Sequence, residues 1–239
     1  MYYFNKFKKF IVFIGFLANL GLCKAGAYDD FFRAISVDDA RSVQALLQRG
    51  FDPNTVNPDG IPALMQALRS TSYKTATALA TWPQTKVDIR NAQDESPLML
   101  AALRGQLELV TQLLERRAEV NKPGWTPLHY AATGGHVPVM VLLMAHGAQI
   151  NAESPNGSTP LMMAAMYGSP EAVKHLIQAG ANLQAKNALG LTALDFAVSA
   201  QRPNNIELMQ EGLRRESARQ ARQPAAASPA EPAASASKR

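Results

Sequence analysis

Cysteine is almost missing from this chain of 239 residues, Cys23 being the one thiol. If residues 1–27 are a removable leader, as argued below, the mature chain has none, which excludes disulfides and thiol chemistry and leaves packing alone to hold the fold. Long apolar runs are lacking as well. Phe10 to Leu22 makes about 13 residues, short of the roughly 20 that span a bilayer. Catalytic signatures fail in turn. No HExxH or Cys/His ligand spacing supports a metal, GSTPL around Ser158 is not a G-x-S-x-G elbow, and Gly134-Gly135 belongs to no G-x-G-x-x-G. The expectation is a protein with no enzymatic activity, no metal and no cofactor.

Charge is unevenly placed. The formal charge is +5, but Lys6, Lys8, Lys9 and Lys24 all precede Ala27 with no acid among them. Removing these 4 of 24 basic residues leaves 20 against 19 acidic ones, a net of +1, so nucleic-acid binding loses its compositional support. The same residues explain the start of the chain. A basic stretch, a short apolar run and Ala25-Gly26-Ala27 form the pattern of a secretory signal peptide, with cleavage after Ala27. An uncleaved anchor and a lipoprotein at Cys23 are the alternatives, the latter weakened by the bulky Leu22 before the cysteine. An exported, bacterial type of protein follows, periplasmic as first choice and secreted as second, with no transmembrane helix in the mature chain.

What the chain does have is a repeat. In Gly124 to Asn151, Thr126 can cap a helix whose first position is Pro127, and Leu128, Ala131 and Ala132 share one face of it. Gly134-Gly135 ends that helix, and Val137 to Leu143 supply the apolar side of a second, stopped by Gly147 as a left-handed cap. The same order recurs from Ser96, Thr159 and Thr192. The leucines at 64, 98, 128, 161 and 194 are spaced 34, 30, 33 and 33 apart. The loop before Trp125 is three residues shorter than the one before Ser158, because Lys122-Pro123 replaces five residues between Asn151 and Gly157.

A period near 33 with T-P-L-H-x-A in Thr126 to Ala131 resembles the ankyrin-repeat family, over roughly Asp29 to Leu213. The resemblance implies an all-α solenoid of stacked helix-turn-helix units joined by hairpin loops, with five to six repeats including caps. The expected layout is a signal peptide at 1–27, the repeat domain at 28–213 and an Ala/Pro/Ser-rich tail at 214–239. Residues 28–54 read as the N-terminal cap. The second repeat is degenerate, with Ser70 to Lys74 between its helices and Trp82-Pro83 at its end. The third puts Arg117 where a capping glycine belongs. Asn205 to Leu213 reads as the last outer helix, followed by a short frayed helix and then disorder.

The resemblance also implies that His129 and His136 are structural groups and that the concave face binds. The expected function is a non-catalytic scaffold, monomeric, recognising an unknown folded protein partner. Aromatic and Arg anchors concentrate interface energy, which singles out Trp125, Tyr167 and Arg104, supported by Met166, Leu103, Ile61 and Tyr130. Each has a plainer role open to it. Trp125 can fold over its shortened hairpin, Tyr167 can cap a helix pair, and Arg104 can pair with Glu95 or Glu108. The alternative for the whole protein is an envelope-associated structural protein whose basic tail contacts the cell wall or a membrane surface.

Overall fold

A computed structural model describes residues 26–222. The expected leader up to Ala25, Cys23 and the segment 223–239 lie outside the described residues. Twelve helical stretches follow one another: α1 (26–36), α2 (Ala40–Gln48), α3 (Ala63–Arg69), α4 (Tyr73–Thr81), α5 (Pro97–Leu103), α6 (Leu107–Glu115), α7 (Pro127–Gly134), α8 (Val137–Ala145), α9 (Pro160–Tyr167), α10 (Pro170–Gln178), α11 (Ala193–Ser199) and α12 (Pro203–Arg222). Among the described residues the only extended pairing is an isolated bridge between Val56 and Pro62.

Local chemistry sets where each inner helix begins. The hydroxyls of Ser96, Thr159 and Thr192 accept from the backbone N–H groups of Met99, Met162 and Asp195, at 3.2, 3.4 and 3.4 Å, satisfying donors that a helix start leaves orphaned. Pro97, Pro127 and Pro160 occupy the first helical positions, where no N–H is needed. The helices then pack in two layers. α3, α5, α7, α9 and α11 succeed one another in the inner layer, and α2, α4, α6, α8, α10 and α12 in the outer one. The inner faces carry the buried pairs Ala101/Ala102, Ala131/Ala132 and Ala164/Ala165, whereas outer helices bury larger side chains such as Leu109, Leu113, Met140, Leu143 and Leu176. Small residues let α5, α7, α9 and α11 approach more closely than the outer helices do, so the stack bends towards the inner layer.

The close approach is tightest at Gly168. Its φ is an ordinary −77°, yet an added Cβ would run into the carbonyl oxygen of Ala132 on the preceding inner helix. A second device joins the repeats at their outer loops. Asn54, Asp88, Asn121 and Asn151 each accept with a side-chain oxygen from the backbone of the next repeat, at Lys86, Glu119, Gln149 and Asn182, over 2.7 to 2.9 Å.

Two boundaries differ from the sequence expectation, and a third detail explains one that agrees with it. Tyr73 and Lys74 belong to α4, so the turn in the second repeat is only Ser70 to Ser72, with Thr71 supplying the left-handed residue at φ 58°. Trp82-Pro83 needs no glycine because Arg116 reaches back from the next repeat and donates to the carbonyls of Ala80, Trp82, Pro83 and Thr85 at 2.6 to 3.1 Å. The last outer helix does not end at Leu213. α12 runs through it unbroken to Arg222, with Gly212 packed close to Leu183, so the short helix expected beyond Leu213 is continuous with the outer helix. Arg117 does adopt the left-handed conformation, φ 62°, that a glycine would take.

Candidate functional site

The centre of the stack is α7, flanked by α5 and α9. His129 is fully buried on its first turn. The Thr126 N–H donates to Nδ1 at 3.2 Å, the Thr126 hydroxyl lies 2.9 Å from the same nitrogen, and Nε2 is 2.9 Å from the Ser158 carbonyl of the next repeat. Only a neutral ring with its proton on Nε2 serves all three. Burial pushes its pKa down to about 4, opposed by the carbonyl bonds it donates to. The imidazole is a structural link between repeats, with no free edge for chemistry.

Trp125 stands on the shortened hairpin. Its ring is half-buried and meets the His129 ring edge-on at 5.2 Å and 78°. The other hairpins close with an Asn or Ser turn: Asn57, Asn91, Ser154 and Asn187 each donate their N–H to the carbonyl four residues on, at 2.9 to 3.2 Å. The shortened hairpin before Trp125 lacks that turn residue: Asn121, four residues before Trp125, is the counterpart of Asn54, Asp88 and Asn151, and its side chain is engaged with Gly147 and Gln149. Lys122 takes over instead. Its ammonium donates to the carbonyls of Pro123 and Trp125 at 3.1 and 3.3 Å and pairs with Asp94, and its side chain is only 8% exposed. That ammonium holds the Asp94 carboxyl below its usual range.

Tyr130 is also half-buried, and its hydroxyl donates to Glu95 Oε1 at 2.9 Å. Burial and the Glu95 carboxylate push the phenol up, so it stays protonated. Glu95 accepts from Asn91 Nδ2 as well, at 2.6 Å. The expected ion pair of Arg104 with Glu95 or Glu108 does not form, since Glu95 is taken up by these two partners and no carboxylate lies within salt-bridge distance of Arg104 among the described residues.

The remaining residues stand at the C-terminal ends of the inner helices. Leu103 and Met166 are partly exposed, Arg104 is exposed, and Tyr167 is 52% exposed. By repeat register the end of α7, Thr133-Gly134, lies between Leu103-Arg104 and Met166-Tyr167, so two bulky pairs flank a low step. Ile61, on a hairpin two repeats before Trp125, is half-buried against the core and does not join this group. Three side chains pin the step from behind: His136 Nε2 is 3.0 Å from the Leu103 carbonyl, Ser169 Oγ donates to Gly135 at 3.4 Å, and Arg202 donates to Met166 and Tyr167 at 3.3 and 3.1 Å. The position after each inner-helix turn carries all three, a pattern that sequence reading alone missed outside the Gly-His pair.

A solenoid of stacked helix pairs, cross-linked between neighbours and presenting side chains on its inner layer, is a repeat scaffold. The family described as Ankyrin repeats (3 copies) matches residues 31–123, 72–154, 98–187 and 142–214, and the chain belongs to it. The human ASB11 ankyrin repeat domain, known from a crystal structure, superposes with a TM-score of 0.68 at 25% identity, covering 76% of this chain and 82% of that one. Ankyrin repeat and SAM domain-containing protein 6 of Rattus norvegicus is 32% identical over 109 residues, 44% of this chain and 12% of that protein. The 2-5A-dependent ribonuclease of Mus musculus is 40% identical over 70 residues, 28% of this chain and 10% of that protein. The aligned part thus spans about a tenth of the length of these curated relatives. Ankyrin repeats in general mediate contacts between proteins.

Proposed function

We propose that this protein is a monomeric, non-catalytic scaffold that binds a folded partner on its inner layer, at the ends of α5, α7 and α9. One observation carries this. Leu103, Met166 and Tyr167 leave apolar surface in solvent at the ends of helices whose opposite faces are fully buried, and nothing in the packing of the stack requires those side chains. Arg104 adds a guanidinium with no carboxylate partner among the described residues. Trp125, packed edge-on against His129, and Tyr130, which ties the fourth repeat to Glu95 of the third, support the site. The partner is met outside the cytoplasm, in the periplasm of a bacterial cell, a reading that rests on the Lys-rich start, the short apolar run and Ala25-Gly26-Ala27.

The test is chemical crosslinking of the wild type against the variant Leu103→Ser, Met166→Ser, Tyr167→Ala, all exposed or partly exposed positions. Loss of the crosslinked partners from a variant with unchanged circular dichroism is the expected result. Unchanged crosslinks would place binding elsewhere. N-terminal sequencing of the mature protein checks the compartment: a start at Tyr28 is expected, and a start at Met1 would overturn it.

A further inference from the structure

Resting on this binding reading, we infer that the partner docks an acidic, amphipathic helical segment along the ends of the inner helices. Charge is the first observation. Asp and Glu are absent from 60–87, 96–107, 120–152 and 154–170, which hold α3, α5, α7 and α9 with their turns. Two exposed guanidinium groups stand on this edge, Arg69 and Arg104, one repeat apart, and neither has a carboxylate within salt-bridge distance among the described residues. Arg202 adds a third at the far side, laid over the carbonyls of Met166 and Tyr167. Of the carboxylates on or beside the inner layer, Asp195 at the start of α11 accepts from the N–H and hydroxyl of Thr192, and on the hairpins Asp94 is paired with Lys122 and Glu95 with Tyr130, while Asp59 is exposed at the tip before Ile61.

Each cation has a local role that does not use up its donors. Arg69 lies in the last turn of α3 and Arg104 is the C-cap of α5, where positive charge suits the helix dipole. Among the described residues nothing accepts from their side-chain N–H donors, and guanidinium forks match carboxylates. The cations alternate with Leu103, Met166 and Tyr167, so the surface asks for acidic and apolar side chains together. A nucleic-acid strand would want a continuous basic track, which the Thr133-Gly134 step and Ser169 interrupt.

Spacing selects the helix. Packed helices lie about 8–10 Å apart, and residues seven apart on an α-helix share a face at about 10.5 Å. An extended strand offers same-face side chains at about 7 or 13 Å and falls out of step. A partner helix with apolar residues at seven-residue intervals therefore presents one to each repeat, with Leu103 and Met166 met by residues about fourteen apart.

The experiment selects a display library of helix-stabilised 20-residue peptides on the full chain and follows the enriched peptides by fluorescence anisotropy. Expected are net-negative peptides with apolar residues seven apart, bound about tenfold or more weakly by Arg69→Glu/Arg104→Glu and by Arg69→Gln/Arg104→Gln, and more weakly as salt rises. Neutral or basic peptides, acidic peptides indifferent to both Arg variants, a single-stranded DNA oligonucleotide bound equally well, or no enrichment would each overturn the inference. Peptides lost only with Leu103→Ser, Met166→Ser, Tyr167→Ala would overturn it while leaving the scaffold reading intact; peptides indifferent to that variant too would remove both.

Discussion

The third residue after the cap of four inner helices performs one task with three chemistries. His129 Nδ1, the Met99 and Met162 sulfurs and Asp195 Oδ2 all accept from the backbone N–H of their cap residue, at 3.2, 3.4, 3.4 and 2.7 Å. The two methionines explain how the sequence can lose the TPLH histidine without losing the fold. His129 differs from them in that it titrates. Its pKa falls from 6.5 when exposed to about 4 in the fold, so below pH 6.5 the unfolded chain binds a proton that the folded chain refuses. Stability therefore drops as pH falls from about 6.5 to about 4, by an amount on the order of 3 kcal/mol, and is constant in this respect above and below that window. His129→Met, copying Met99 and Met162, removes this slope. Urea midpoints at pH 7.5 and pH 4.5 for both proteins check it; parallel pH dependence in the two would count against the assignment.

At the scale of elements, several helix ends are finished by a neighbour. Arg116 finishes the end of α4 where a glycine cap does so elsewhere, with four charge-assisted bonds to the carbonyls of Ala80 in the last turn, Trp82 at the C-cap, and Pro83 and Thr85 in the loop beyond. Arg116→Ala is expected to destabilise the protein by about 2 kcal/mol or more, and Arg116→Lys to recover only part, since an ammonium cannot span the four carbonyls. Thermal melts of the three proteins give the answer, and an Arg116→Ala melt equal to wild type would show the bonds to be idle. The role was not legible in the sequence because Arg116 and Ala80 are 36 residues apart, and only stacking in register brings them together. The helix starts were legible, because cap, proline and leucine lie within one turn of one another. The same contrast separates Trp125, whose odd hairpin shows in the sequence, from Lys122, whose part in holding that hairpin does not.

Over the whole molecule, contacts run from each repeat to the next, so stability is a sum of repeats and the junctions between them. The α7–α9 junction depends on Gly168, where no side chain fits against the Ala132 carbonyl. Gly168→Ala is expected to cost about 2 kcal/mol and, because it weakens one junction, to broaden the denaturant transition by letting the C-terminal repeats melt first. Trp82 lies on the N-terminal side of that junction, so in a Trp125→Phe background its fluorescence should then change at higher denaturant than the far-UV circular dichroism. A single sharp transition shared by both signals would mean that the stack holds together without this contact.

The sequence by itself determined the repeat, its phase, its inner alanine faces and the inner-helix ends at Leu103-Arg104 and Met166-Tyr167, because each is written in residues a few positions apart and repeated at a fixed period. Tertiary structure decided the rest. It showed that Tyr130 is tied to Glu95, that Arg104 meets no carboxylate among the described residues and that α12 continues to Arg222. Each of these depends on which side chains of different repeats meet across a junction, and a one-dimensional pattern gives the order of the repeats without giving the angle or distance at which they stack.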